Sequence, residues 1–141
     1  MEPELEKVLN LLLESERAGV AALDRIITRV ENDELKRLLT TSREDESATV
    51  QELERLIRTA GGIPSQQTGQ FASKVAGAGT LSEQLKLLVR GEEWMARKIE
   101  EALMLASGNA PIQDYLQRMA RRHRFEVEWG RADYESRGRA V

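Results

Sequence analysis

The stretch GGIPSQQTGQFASKVAGAGT, residues 61–80, interrupts the helical pattern in the middle of the chain. On both sides of it, apolar residues recur at three- and four-residue steps, which indicates amphipathic helices. A helix of about 27 residues is roughly 40 Å long, whereas twenty extended residues span up to roughly 65 Å. The segment is therefore long enough to return along a whole helix, and the helices on its two sides are predicted to run parallel.

Four long helices are predicted, at residues 3–31, 34–60, 81–107 and 111–130. Pro3 suits a first helical turn, and Thr80-Leu-Ser-Glu83 is a capping box. The connections after the first and third helices are a few residues long, which indicates antiparallel neighbours. The sequence therefore predicts an all-α, up-down four-helix bundle with one long crossover between helices 2 and 3.

The bundle is expected to form one domain over residues 1–130, followed by a polar C-terminal tail over residues 131–141. Phe71, Val75 and Leu81 are the apolar residues expected to hold the crossover against the bundle. No internal repeat divides the chain further.

Composition excludes several classes of site and partner. The 141 residues include no Cys and a single His, so thiolate zinc sites, cysteine-ligated iron–sulfur clusters, His-rich metal sites and Cys nucleophiles are excluded. The net charge of −3 comes from 21 basic and 24 acidic residues that alternate along the chain, which does not favour nucleic acid. No apolar run is long enough for a membrane span, and no positive leader precedes one. We expect a cytoplasmic protein whose chemistry depends on carboxylates.

Each predicted helix carries one ligand-type residue in the middle of its apolar seam. Glu16, Glu46 and Glu92 interrupt the seams of the first three helices, and the only histidine, His123, lies in the fourth. Each of the four is about 12 residues from its helix start, roughly 18 Å along the axis. Mid-helix positions coincide in depth whichever way a helix runs, so the four side chains are expected to converge on one layer.

Three carboxylates cannot be buried together without a compensating charge, because each loses several kcal/mol of solvation and like charges repel. A hard or borderline cation satisfies this requirement, and Glu and His side chains from facing helices are typical ligands of iron or manganese. Glu126 lies one turn beyond His123 on the same face. The sequence thus predicts a metal site with the ligands Glu16, Glu46, Glu92 and His123, and Glu126 as an optional fifth.

Over residues 9–130 the sequence resembles the ferritin-like superfamily, and within it a bacterial family of ferritin-like domains. The matching stretches are Leu12-Leu-Glu-Ser-Glu16-Arg-Ala-Gly19, Asp45-Glu46, Gly61-Gly-Ile-Pro-Ser65, Arg90-Gly91, Trp94 with Arg97-Lys98, and Met119 with His123. The resemblance implies one Glu on each of two helices and a Glu-x-x-His pair on each of the others. Here Thr49 stands where the first pair has His, and Ala120 where the second has Glu, so the implied di-iron set lacks two ligands. With Glu126 counted, four carboxylates and one imidazole remain, which suffice for one metal ion or an asymmetric pair.

Two alternatives to a metal-binding protein without redox catalysis remain open. In the first, the bundle is metal-free, serves in dimerisation or interaction, and holds its Glu layer with arginine, protons or water. Its signature is an arginine in the layer, and the candidates are Arg17, Arg43, Arg97 and Arg122. In the second, the protein is a di-iron oxidase or peroxidase, which requires two metals, an open coordination position and a channel.

The first helix also carries an apolar strip beside its seam. Leu13, Val20 and Ile27 recur there at seven-residue spacing and widen the apolar face. Either the crossover or a second copy of the chain could cover this strip, so a homodimer is possible.

Overall fold

Five helices make up the part of the chain that the computed structural model describes, which is the backbone of residues 1–139 and the side chains of residues 1–133. They are α1 (Pro3–Ile27), α2 (Asp33–Thr59), α3 (Phe71–Ala76), α4 (Leu81–Leu105) and α5 (Ala110–Arg139). Residues 1–139 contain no β-strand, and the predicted all-α class is confirmed. Nowhere in the described residues is a helix both long and apolar enough to cross a membrane.

The ends of the long helices follow local capping chemistry. The Asn32 side chain accepts a hydrogen bond from the Leu35 amide at 2.9 Å and begins α2. Thr80 accepts one from the Glu83 amide, while the Glu83 carboxylate accepts one from the Gly79 amide, both at 3.1 Å, so the predicted box caps α4. Beyond α2 the chain turns at Gly61, whose φ of +87° favours glycine.

Two apolar clusters fill the bundle, one near each end. The first joins the beginnings of α1 and α5 to the ends of α2 and α4, through residues such as Leu9, Leu53, Ile99 and Leu116. The second joins the end of α1 to the beginnings of α2 and α4 and the later part of α5, through residues such as Ile26, Leu39, Leu85 and Trp129. Therefore α2 and α4 run parallel to each other and antiparallel to α1 and α5, with a zone between the clusters.

The crossover is tied to α1 along its length. The Arg17 guanidinium donates to the carbonyls of Ser65 and Gln67 at 2.7 and 2.8 Å. Farther on, the Gly69 amide donates to the α1 backbone. Val75 of α3 is fully buried in the second apolar cluster, and Phe71 and Leu81 pack against it, as expected.

The first helix ends earlier than the sequence predicted. α1 stops at Ile27 rather than near residue 31, because the amides of Arg29 and Val30 bond three residues back, to Ile26 and Ile27. The Thr28 hydroxyl also donates to the Arg25 carbonyl at 2.7 Å, which closes the turn.

The polar tail predicted for residues 131–141 is wrong for residues 131–139, because α5 continues to Arg139 instead of stopping near Gly130. Gly130 is buried, and a methyl group in place of its hydrogen would lie 2.6 Å from a methyl carbon of Val89. The glycine therefore permits close packing of α5 on α4 and does not end a helix. Residues 140 and 141 lie outside the described part of the chain.

Candidate metal centre

A layer of ionisable side chains crosses the bundle between the two apolar clusters. Its four predicted members, one from each long helix, are buried to 7% exposure or less: Glu16, Glu46, Glu92 and His123. The seam registers therefore bring these side chains to one depth, as the sequence predicted. Thr49 of α2 is buried with them.

The His123 imidazole lies between two carboxylates. Its Nε2 atom is 2.7 Å from Oε1 of Glu16, and its Nδ1 atom is hydrogen-bonded to Oε2 of Glu92. Both ring nitrogens are thereby engaged by acids from different helices, α1 and α4. This arrangement fixes the plane of the ring at the centre of the bundle.

Glu126 also reaches the layer, from one turn beyond His123. One donor atom each from Glu92, His123 and Glu126 lies within 4.8 Å of the other two, a spacing compatible with a shared metal ion. The Ser42 hydroxyl donates to Oε1 of Glu126 at 3.2 Å. Sequence reasoning assigned no role to Ser42, although its position one turn before Glu46 on the α2 seam could have indicated one.

Glu46 is held against the backbone of α1 at Gly19. A methyl group at Gly19 would lie 2.6 Å from Oε2 of Glu46, so only glycine leaves room for the carboxylate there. That Oε2 atom is buried and has no hydrogen-bond partner. The same is true of Oε2 of Glu16 and Oε2 of Glu126. Three buried carboxylate oxygens of the layer thus have no hydrogen-bond donor, and a bound cation could interact with them instead.

Replacing Gly19 with alanine is expected to weaken metal binding at least about tenfold while the fold is kept, because the Glu46 carboxylate must move and its side chain is flexible. Isothermal titration with Fe(II) under anaerobic conditions and circular dichroism measure the two effects. Gly79→Ala is the matched control, since nothing lies closer than 3.9 Å to the added methyl group. Equal affinities in the two variants would show that Glu46 is not part of the site.

Burial and mutual charge distribute the protons of the layer unevenly. Burial and the charges of Glu92 and Glu16 raise the pKa of Glu46 well above its ordinary 4.5, and burial and Glu92 raise the pKa of Glu126 to about 9. Burial opposes the charged forms of Glu92 and His123, but their mutual attraction outweighs it, so the pKa of Glu92 falls to about 2 and that of His123 rises to about 10. At neutral pH the layer thus holds protons that a metal ion would displace.

Arg122 enters the layer from the side of α5. Its Nη2 atom is 3.0 Å from Oε1 of Glu16, its Nη1 atom donates to the Thr49 hydroxyl, and Nη1 is 3.3 Å from the Asp45 carbonyl. Its Nε atom is 3.6 Å from Oε1 of Glu126. The guanidinium therefore supplies a permanent positive charge to the layer, closest to Glu16 and farther from Glu126.

The other three arginines predicted near the layer do not bond to its carboxylates. Arg17 pairs with Glu54 at 2.9 Å and Arg43 with Asp24 at 2.7 Å, while Arg97 is exposed. The signature of the metal-free alternative is therefore present in a single residue, Arg122.

The positions that depart from the di-iron pattern offer no additional ligand. The Thr49 hydroxyl donates to the Asp45 carbonyl at 2.9 Å and accepts from Arg122. Ala120 is buried, and its side chain has no donor atom. The set of oxygen and nitrogen ligands is therefore smaller than the di-iron pattern requires.

A cleft of about 740 Å³ leads to the layer between α1, α3 and α4. It reaches Glu16, Glu46, Glu92 and His123, and its walls include the apolar side chains of Phe71, Leu88, Trp94 and Met95. A small molecule or an ion therefore has a route to the centre of the bundle on this side.

Solved structures with the same architecture include proteins named as ferritin-like or as bacterioferritin. A ferritin-like, diiron-carboxylate protein of Bacillus anthracis str. Ames is 20% identical, with a TM-score of 0.86 over 95% of this chain and 99% of that one. Bacterioferritin BfrA of Mycobacterium tuberculosis is 16% identical, with a TM-score of 0.87 over 99% and 89%. A protein of Xanthomonas campestris pv. campestris is 17% identical, with a TM-score of 0.87 over 97% and 93%. The fold is therefore the ferritin-like four-helix bundle, as the sequence predicted.

Residues 3–133 match the family described as "Domain of unknown function (DUF6306)", and the chain belongs to it. No curated protein is significantly similar in sequence.

Proposed function

We propose that the ionisable layer is an iron-binding site whose ligands are drawn from Glu16, Glu46, Glu92, His123 and Glu126. The observation that carries this proposal is the group of Glu92, His123 and Glu126, in which one ligand atom of each residue lies within 4.8 Å of the other two. In the same layer, buried Oε2 atoms of Glu16, Glu46 and Glu126 have no hydrogen-bond partner. A buried polar atom that lacks a partner costs about 1–3 kcal/mol, and more when it is charged. One cation bound among these oxygens removes that cost for several of them at once.

The chemistry of the ligands supports iron. Carboxylate oxygens and one imidazole nitrogen suit a hard or borderline divalent ion. The Bacillus anthracis protein of the same fold is named as a diiron-carboxylate protein, which favours iron over manganese. Bound iron would supply Lewis-acid and one-electron chemistry at the end of the cleft. The chain's own residues would hold the ion and orient the imidazole. The apolar clusters on both sides of the layer would exclude water from it.

A metal-free bundle is the second candidate, and the Arg122 contacts favour it. The Arg122 guanidinium, the protonated His123 imidazole and protons on Glu46 and Glu126 together balance the four carboxyl groups of the layer without an ion. In that case the protein would act through its surfaces, as an interaction or dimerisation module. The homodimer and the cytoplasmic location stay predictions from the sequence. So does the oxidase or peroxidase alternative, for which the cleft provides an opening but Thr49 and Ala120 provide no ligands.

Metal analysis separates these candidates. The protein is purified without chelator, loaded anaerobically with Fe(II), freed of excess metal and analysed by inductively coupled plasma mass spectrometry. We expect stoichiometric iron in the wild type and at least a tenfold loss in His123→Ala and Glu92→Gln, since each removes a central ligand. Glu128→Gln, an exposed acid on the same helix, is the matched control and should retain iron. Wild-type protein that folds cooperatively but stays iron-free would end the iron proposal and leave the metal-free module.

A further inference from the structure

The two nitrogen atoms of the His123 ring, Nδ1 and Nε2, have different surroundings. On the Nδ1 side lie Glu92 and Glu126, with a donor atom of each within 4.8 Å of the other and of the imidazole. On the Nε2 side lie Glu16 and the Arg122 guanidinium, whose Nη2 atom is 2.9 Å from Nε2 itself. Arg122 also approaches Glu126, with Nε 3.6 Å from Oε1, but its shorter contacts, to Glu16 and to Nε2, lie on the other side of the ring. The permanent positive charge is therefore concentrated on the Nε2 side.

Several hydrogen bonds hold the Arg122 guanidinium on the Nε2 side of His123. Nη2 donates to Glu16, and Nη1 donates to the Thr49 hydroxyl and the Asp45 carbonyl. The arginine side chain is 19% exposed, whereas the Glu16 side chain is fully buried. A guanidinium does not lose its proton in a protein, so this half of the layer keeps a positive charge under all ordinary conditions.

We propose that the Arg122 guanidinium takes the place of a second cation, so that the layer binds one metal ion, on the Nδ1 side of His123, and Glu16 orients the imidazole instead of ligating. This inference rests on the proposed iron site. A second divalent ion beside Glu16 would lie within a few ångströms of a fixed positive charge and be repelled. Moreover, a metal-bound histidine commonly has its other ring nitrogen held by a carboxylate, which is the role that Glu16 fills.

Thr49 is consistent with this division of the layer. A threonine hydroxyl is a weak ligand, and this one is already bonded to both Arg122 and the Asp45 carbonyl. Thr49 thus helps to hold the Arg122 guanidinium in place. Where the di-iron pattern has a histidine ligand, this chain has Thr49, and its hydroxyl accepts a hydrogen bond from the Arg122 guanidinium.

The number of ions bound by the wild type is the first test. Anaerobic titration with Fe(II), followed by metal analysis, is expected to give one ion per chain. Two ions per chain would overturn the inference while leaving the proposed iron site intact. No ion at all would overturn the proposed function, and this inference with it.

The next test is to introduce a second metal site. The double variant Thr49→His/Arg122→Ala supplies a ligand and removes the guanidinium, and we expect it to bind two ions. Arg121→Ala, an exposed arginine next to Arg122, is the control and should bind one. A folded double variant that still binds one ion would contradict the role of Arg122.

Co(II) absorption tests the role of Glu16 and does not depend on the double variant folding. Glu16→Gln should keep one ion and the wild-type visible spectrum, with affinity reduced about 10- to 100-fold, as for other partners of metal-bound histidines. Glu126→Gln should change the spectrum, because it alters a ligand. A changed spectrum in Glu16→Gln would show that Glu16 binds the metal directly and would overturn this part of the inference.

Discussion

Arg122→Met is expected to lower the free energy of unfolding of the metal-free protein by about 3 kcal/mol, which corresponds to a fall in Tm of roughly 10 °C. The guanidinium is the permanent cation bonded to Glu16, whose side chain has no exposed surface. Methionine keeps an unbranched apolar stem of comparable length but leaves the Glu16 carboxylate without that charge. Urea unfolding followed by circular dichroism, in buffer with chelator, measures the change.

The controls separate charge from packing. Arg121→Met alters a neighbouring exposed arginine and should change the stability by less than about 0.5 kcal/mol. In the double variant Glu16→Gln/Arg122→Met the buried charge is gone together with its partner, so much of the lost stability should return. An Arg122→Met variant as stable as the control would mean that the guanidinium does not hold the layer together.

The depth of the ionisable layer could be predicted because helical periodicity alone determines it. Glu16, Glu46, Glu92 and His123 each occupy a seam position near the middle of a helix, and mid-helix positions meet at one height in an antiparallel bundle. The long connection predicted the parallel pair of helices on equally general grounds, since its length allows a return along the bundle. Neither inference required knowledge of any side-chain conformation.

The sequence did not show which arginine enters the layer. Arg122 precedes His123 by one residue, so its Cα lies about 100° around the helix from the seam, and only its long side chain brings the charge inward. Gly130 was misread for a related reason. A glycine near the end of a helical pattern suggests a stop, but here it allows contact with Val89, a residue of another helix. Both features depend on tertiary packing, which local signals do not specify.

The stability of the metal-free protein is expected to fall as the pH rises from 6 to 9. The pKa of His123 is raised from 6.5 to about 10 by the carboxylates that overcome its burial, so its contribution is fully present below pH 6.5 and is lost as the pH rises through 10. The pKa of Glu126 is raised from 4.5 to about 9, so its protonated form favours folding at low pH, and this advantage is also lost on raising the pH. The pKa of Glu92 is lowered from 4.5 to about 2, so the stability that its carboxylate contributes is lost only below pH 4.5, outside this range.

The groups that face His123 come from three of the long helices. The acids are Glu16 of α1, Glu92 of α4 and Glu126 of α5, and they favour the charged imidazole. The Arg122 guanidinium, 2.9 Å from Nε2, opposes them, but the acids outweigh it. Each proton that the folded state holds and the unfolded state does not contributes about 1.4 kcal/mol per pH unit. His123 and Glu126 together hold up to two such protons in this range, so we expect Tm to fall by about 4 to 9 °C per unit. Thermal unfolding in chelator at pH 6, 7, 8 and 9 measures the slope.

Glu126→Gln should reduce this slope by about half, because glutamine cannot titrate while His123 still does. The exposed Glu128→Gln should leave it unchanged. Fe(II) bound under anaerobic conditions should also flatten it, since the ion replaces protons of the layer and binds more tightly as the pH rises. A metal-free protein whose Tm is constant or rises between pH 6 and 9 would contradict the assigned protons. The layer would then hold its carboxylates in the charged form, and the demand for a cation at its centre would be greater.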